Sequence, residues 1–232
     1  MKSRRKYSTT SLIEEDEPGK DIANKKKLEA IKKNPLAYRY SGKIVSLAYI
    51  FFSFELMLQA WWSNLFQHVC YEKEASHHLK MKDKIKIDNL KNIKVWHREV
   101  VDYIKHAVES DCVFLDLDYM SEFWTIYLEV YMAIKRKIIK IGCPMSITMS
   151  QGSRKLNPLT EEFLKKNPMS EEDRIKGVTV SEHIFKTWLI QSIGDNYVIE
   201  EFYSYNNGKK DDNGKLIRQN YQMMIAIIRR VK

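Results

Sequence analysis

The sequence predicts a mostly α-helical fold: a helical core of three long helices near 41–71, 93–109 and 121–141, with a smaller C-terminal region. Three observations lead there. Apolar residues recur at helical spacing through the middle of the chain. Glycine and proline are scarce, 8 and 5 in 232 residues, which argues against a turn-rich sandwich or barrel. Thirteen Tyr, 9 Phe and 5 Trp supply the bulk of an aromatic core.

Residues 1–20 read as a disordered tail. The basic Arg4-Arg5-Lys6 and the acidic Glu14-Glu15-Asp16-Glu17 bracket a Ser/Thr run with little apolar surface to bury. A helical domain then spans 21–177. Asp21 caps a short Lys-rich helix that Asn34-Pro35 stops. Residues 41–71 are the most apolar stretch, almost uninterrupted over 44–54, after which Glu55, Gln59, Ser63 and Gln67 return every four residues. That polar stripe reads as a buried core helix. A membrane span over 44–66 is the alternative, and a charged Glu55 near its middle would be expensive in lipid.

Ile93, Trp96, Val100, Val101, Ile104, Ala107 and Val108 fall at spacings of three and four, predicting the second long helix. Residues 111–118 break it. Asp118 or Ser121 caps the third, which carries Met120, Phe123, Trp124, Tyr127, Tyr131, Ile134 and Ile138 along one side. Lys135, Arg136, Lys137 and Lys140 load its last turns and complement the helix dipole, and Gly142 supplies the stop. A short extended piece is expected at 146–149. Thr160 opens a brief helix ended by Asn167-Pro168, Ser170-Glu-Glu-Asp173 is a capping pattern for another, and Ser181 starts a helix running to Gly194. Residues 178–232 form a small helical or α+β extension. Within it, Asn206-Asn-Gly and Asp212-Asn-Gly are turn signals for a hairpin over 197–222 or for two short helices.

Lys plus Arg number 39 against 30 Asp plus Glu, a net charge of +9 that favours polyanions. Three basic patches stand out: Lys25-Lys-Lys27 with Lys32-Lys33, the run from Lys135 to Lys140, and Arg229-Arg-Val-Lys232. Lys135, Arg136, Lys137 and Lys140, beside Tyr127 and Tyr131, and Arg154-Lys155 beside Gly152 are the candidate nucleic-acid contacts. Cys70, Cys112 and Cys143 are too few and too irregular for a disulfide framework, and the basic N-terminus lacks the apolar core of a secretory signal; both point to the cytoplasm.

The run Val113-Phe-Leu-Asp116-Leu-Asp118 looks like an apolar strand ending in paired carboxylates, and a similar D-x-D opens the haloacid-dehalogenase phosphatases. A metal-dependent phosphohydrolase using Asp116 and Asp118 is therefore one reading, and a helix entrance capped by Asp118 is the favoured one. His77-His78 lacks further ligands nearby, and no Gly-rich phosphate loop, G-x-S-x-G or H-E-x-x-H is present. No catalytic residue, metal or cofactor is expected.

Trp96, the acidic stretch to Asp118, Tyr127, Tyr131, Gly142, Gly152 and Asn157-Pro158 together resemble, in order and spacing over 96–158, a family of phage terminase small subunits. The family's closing Leu-Gly-Leu-x-Pro is absent after Pro158. The resemblance implies a non-enzymatic homo-oligomer that binds viral DNA for packaging. The expected function is thus a basic helical nucleic-acid-associated or assembly protein, with DNA favoured over RNA and a partner protein on the aromatic helices. A membrane-associated or protein-interaction module using 44–66 is the alternative.

Overall fold

Among the described residues seven strands, not three long helices, organise the chain. The structure, a computed structural model, describes residues 18–33, 42–47, 66–151, 158–206 and 222–232. The strands are β1 (Gly42–Ser46), β2 (Phe66–Glu72), β3 (Ile93–His97), β4 (Phe114–Glu122), β5 (Pro144–Ser150), β6 (Tyr197–Asn206) and β7 (Gln222–Arg230). They lie in the spatial order β3-β2-β1-β4-β5-β7-β6. β1 to β5 pair in parallel, and β7 runs antiparallel to both β5 and β6.

The helices are α1 (Pro18–Lys32), α2 (Ala75–Ile87), α3 (Val100–His106), α4 (Phe123–Lys135), α5 (Pro158–Lys166), α6 (Glu171–Ile175) and α7 (Val180–Ile193). They cover both faces of the sheet. On one face Ala23 and Ala30 of α1 pack on Ile225 and Ile227, and Met81 of α2 packs on Cys70 and Ile93. On the other, Phe123, Ile126 and Val130 of α4 and Phe185 and Leu189 of α7 join Leu115, Leu117, Met145 and Ile147. Each such fully buried Ile, Leu or Phe contributes roughly 1.5–3 kcal/mol.

The mostly helical expectation is corrected here, and the error has one physical source. A parallel strand covered on both faces is a continuous apolar run rather than an alternating one, and spacing alone cannot tell it from a buried helix. Residues 42–46 and 66–72, the flanks of the first expected helix, are strands. Residues 48–65, with most of the proposed 44–66 span, lie outside the described residues. Among the described residues no helix is long and apolar enough to cross a membrane. The second expected helix divides into β3 and α3, so Trp96 sits on a strand. The third divides as well: Asp116 and Asp118 belong to β4, and α4 begins only at Phe123. It ends at Lys135, well before Gly142, because Lys137 enters the left-handed region at φ 51° and turns the chain. β6 pairs antiparallel with β7, Asn206 opposite Gln222; residues 207–221 of the expected hairpin lie outside the described residues. The tail expected at 1–20 falls, up to residue 17, outside the described residues.

Local signals fared better where side chains bond their own backbone. The Ser170 hydroxyl accepts from Asp173 N–H at 3.0 Å; α7 starts at Val180, close to the expected Ser181, with Thr179 and Glu182 forming its capping box.

Candidate functional site

The chain leaves β1 toward β2 and β3 on one side, and β4 and β5 lie on the other. Connections therefore diverge between β1 and β4, opening a crevice beyond the strands' carboxyl ends, where doubly wound folds bind ligands. Residues in register across a parallel sheet share a face. Ser46 pairs with Asp116 and Asp116 with Ser146, forming one polar row; Asp118 and Thr148 begin the next. All are on the face that α1 covers. Glu72 ends β2 on the same face, opposite His97 of β3.

Lys27 of α1 dominates this patch. Its side chain is 1% exposed, and its ammonium lies 2.9 Å from a carboxylate oxygen of Asp116 and 3.4 Å from Asp118. Burial alone would lower the lysine pKa, but the two carboxylates outweigh it and hold the group above its ordinary value. Asp116 is pushed up by burial, with Asp118 adding to the shift, while Lys27 and the Ser146 hydroxyl, which donates to Asp116, oppose it. Two hydroxyls beside these charges, Thr148 Oγ1 and Tyr203 OH, are buried without a hydrogen-bond partner. Thr148 is in register with Ile225, which is in register with Tyr203, so both hydroxyls belong to the Asp118 row. Glu72 accepts from Glu74 N–H at 2.7 Å and remains at the rim.

The basic residues singled out from sequence are not gathered here. α4 runs back from the carboxyl end of β4, so Lys135, Arg136, Lys137 and Lys140 lie at the amino edge of the sheet. Lys135 stands over the Tyr131 ring at 5.3 Å, and the Arg136 guanidinium donates to Ala107 O at 2.8 Å. Arg154 and Lys155 lie outside the described residues. The other two patches are largely spent inside the fold. Lys26 pairs with Glu201 at 2.6 Å, Arg229 grips Glu200 through two hydrogen bonds, and Arg230 is buried. Cys112 is buried and its thiol is pushed up to about 12, chiefly by that burial; Cys70 and Cys143 are free and buried too. Among the described residues no group of three or more His, Cys, Asp or Glu is placed to hold a metal ion.

No family model and no curated protein matches the chain. Solved structures do. A candidate methylase from Haemophilus influenzae superposes over 90% of this chain and 99% of its own, with a TM-score of 0.53 and 6% identity. TrmN from Thermus thermophilus matches 87% of this chain at 5% identity and a TM-score of 0.50; the chain spans 47% of TrmN's length. The fold is the one these structures share. At such low identity the likeness concerns architecture alone, yet it overturns the resemblance to terminase small subunits and with it the DNA-packaging, non-enzymatic reading. The motif residues of that resemblance are scattered over a strand (Trp96), the next strand (Asp118) and a helix (Tyr127, Tyr131) of an α/β sheet. The two alternatives are set aside with it: both ends of the 44–66 module are strands, and the Asp116–Asp118 pair holds the Lys27 ammonium.

Lys27 and Glu72 escaped the sequence reading. Lys27 looked like one solvated lysine among several, since only the fold carries it to Asp116, 89 positions away. Glu72 closes an apolar strand, a signal visible only once 66–72 is recognised as one.

Proposed function

We propose that this protein is a methyltransferase acting on nucleic acid. The observation that carries the reading is the strand order with β7 antiparallel, coupled to acidic side chains at the carboxyl ends of β2 and β4.

The group such a fold implies is a cationic, ribose-bearing methyl donor such as S-adenosylmethionine. When bound, it would supply an electrophilic methyl group. The donor set fits: Glu72 at the rim of β2 suits ribose hydroxyls, as acidic residues do in other doubly wound nucleotide sites. Asp116 and Asp118 give this part of the site an acidic character, which favours a cation. The orphaned Thr148 and Tyr203 hydroxyls can donate to or accept from a polar group placed beside Asp118. One feature departs from nucleotide-binding habit. No glycine occurs between Gly42 and Gly142, so no backbone cradle of the Gly-rich kind follows β1, and side chains must do the holding.

A nucleic-acid acceptor is supported by the net charge of +9 and by exposed lysines at the amino edge, including Lys135, which are suited to phosphates. Calorimetry with S-adenosylhomocysteine, followed by transfer of labelled methyl to RNA, DNA and protein, tests the reading. Binding of the product analogue and labelling of nucleic acid are expected, with binding roughly tenfold weaker in Glu72→Ala. A chain that binds no S-adenosylhomocysteine would end it.

A further inference from the structure

The face opposite Lys27 holds a cavity that the methyl-transfer site does not use. Of about 370 Å³, it lies between α3 and strands β1 and β2, lined by Lys43, Tyr71, Arg98, Tyr103, His106 and Asp111, among others. That is the size range of small-ligand clefts, roughly 300–1,000 Å³. Its inner wall is built and internally satisfied. Lys43 pairs with Asp111, Tyr103 OH donates to Asp111 at 2.8 Å, and Lys43 stands over the Tyr103 ring at 4.9 Å. These contacts run toward the amino end of β1, away from the carboxyl-end crevice.

Beside the cavity, the surface toward β3 has a different character. Tyr71 packs on Tyr103 with ring centroids 5.6 Å apart, and it is the register partner of Trp96 on β3, so three aromatic rings line one face in sequence. Trp96 is 48% exposed, a large apolar ring left facing solvent. The Arg98 guanidinium lies 5.9 Å from its ring centre, and Asp102 on α3 adds a hydrogen-bond acceptor. An exposed tryptophan with an arginine over it, beside a half-buried tyrosine, is the combination that holds an unpaired base by stacking and its phosphate by charge. A double-stranded helix offers no free base face to this platform.

Resting on the nucleic-acid reading above, we infer that the Trp96–Tyr71–Arg98 platform binds an unpaired nucleotide of a single-stranded acceptor. Trp96 and Tyr71 take the base, and Arg98 takes the adjoining phosphate. The site thereby selects single strands over duplex.

The test uses the full chain, a labelled 12-nucleotide single-stranded RNA and its duplex, without methyl donor. Trp96→Ala and Arg98→Ala should each weaken single-strand binding about tenfold and leave duplex binding unaltered, in keeping with stacking losses of ~1–3 kcal/mol per base. Trp96→Phe should retain most of the affinity, and Arg98→Ala should reduce the salt slope by about 0.7. Both positions are exposed, and matched thermal midpoints verify folding; Arg98→Gln repeats the charge test with a longer side chain should the alanine variant unfold. Unchanged single-strand affinity in the folded variants overturns the inference. So does a loss of S-adenosylhomocysteine affinity in Trp96→Ala without any loss for RNA, which would assign the platform to the donor's adenine. Failure of methyl-donor binding in the unaltered chain counts against the enzymatic reading alone, because the strand-binding measurement needs no donor.

Discussion

The Lys27 ammonium and the Asp116 carboxylate meet 2.9 Å apart inside the protein, although 89 positions separate them in the chain. The contact ties the N-terminal helix to the strand at the centre of the sheet, and it places a full positive charge beside a second carboxylate, Asp118. Removing Lys27 leaves the buried Asp116 carboxylate without its ammonium, which is far costlier than losing a surface ion pair.

Lys27→Met should therefore lower stability by about 3–5 kcal/mol in urea unfolding. In an Asp116→Asn background the same substitution should cost markedly less, since one of the stranded charges is already gone. Equal losses in the two backgrounds would show that the pair is not coupled.

His68 on β2 is buried, with Nδ1 lacking a hydrogen-bond partner, and burial pushes its pKa down to about 4 from an ordinary 6.5. The folded state keeps this ring neutral while the unfolded chain protonates it below 6.5. Its neutral form is thus fully favourable above pH 6.5, and stability falls as pH drops from 6.5 to 4, by on the order of 3 kcal/mol in total. His68→Leu should flatten that segment of the stability-versus-pH curve; an unaltered slope would mean the acid sensitivity comes from elsewhere.

Gly42 opens β1 where Val113 crosses it. A Cβ at that position would fall on both Val113 methyl groups, closer than carbon atoms tolerate. Gly42→Ala should destabilise by roughly 1–3 kcal/mol, and Gly42→Ala with Val113→Ala should recover part of it. Thermal midpoints of the two proteins decide the matter.

Arg230 is 2% exposed, yet it donates to Lys137 O at 2.8 Å, Ile139 O at 2.9 Å, Ser110 Oγ at 3.1 Å and Lys232 O at 2.7 Å, and pairs with Glu109. It gathers the end of β7 and two neighbouring turns at the amino edge. Arg230→Met keeps the aliphatic bulk but leaves several carbonyls unpaired, so a loss of about 3 kcal/mol or more is expected in chemical denaturation. Arg230→Lys should recover only a fraction, because an ammonium cannot reach the same spread of acceptors.

The pattern of success and failure along the chain follows the range of the forces involved. Ser170 was legible as a helix start because a cap is a bond between residues three apart, whereas α7 is capped by Thr179, two residues before the Ser181 expected to open it. Asp116 and Asp118 were legible as a carboxylate pair closing an apolar run that looked like a strand, although a helix entrance capped by Asp118 was the reading favoured. β5 was legible only in part, as the extended piece at 146–149, and β7 was not: all of 144–149 and 223–228 is buried, so neither alternation nor a helical stripe survives in the letters. The Trp96 spacing that suggested a helix arose from a strand and a helix laid end to end.

What the residues determined by themselves is composition and local chemistry: a basic surface, three unbridged thiols, capped helix starts and acidic ends to apolar runs. Tertiary structure alone decided the sheet, its strand order, the meeting of Lys27 with Asp116 and the platform of Trp96, Tyr71 and Arg98. Those features join segments tens of residues apart, and they are set by which apolar runs pair across the sheet, a choice made by packing over the whole chain rather than by any window of it.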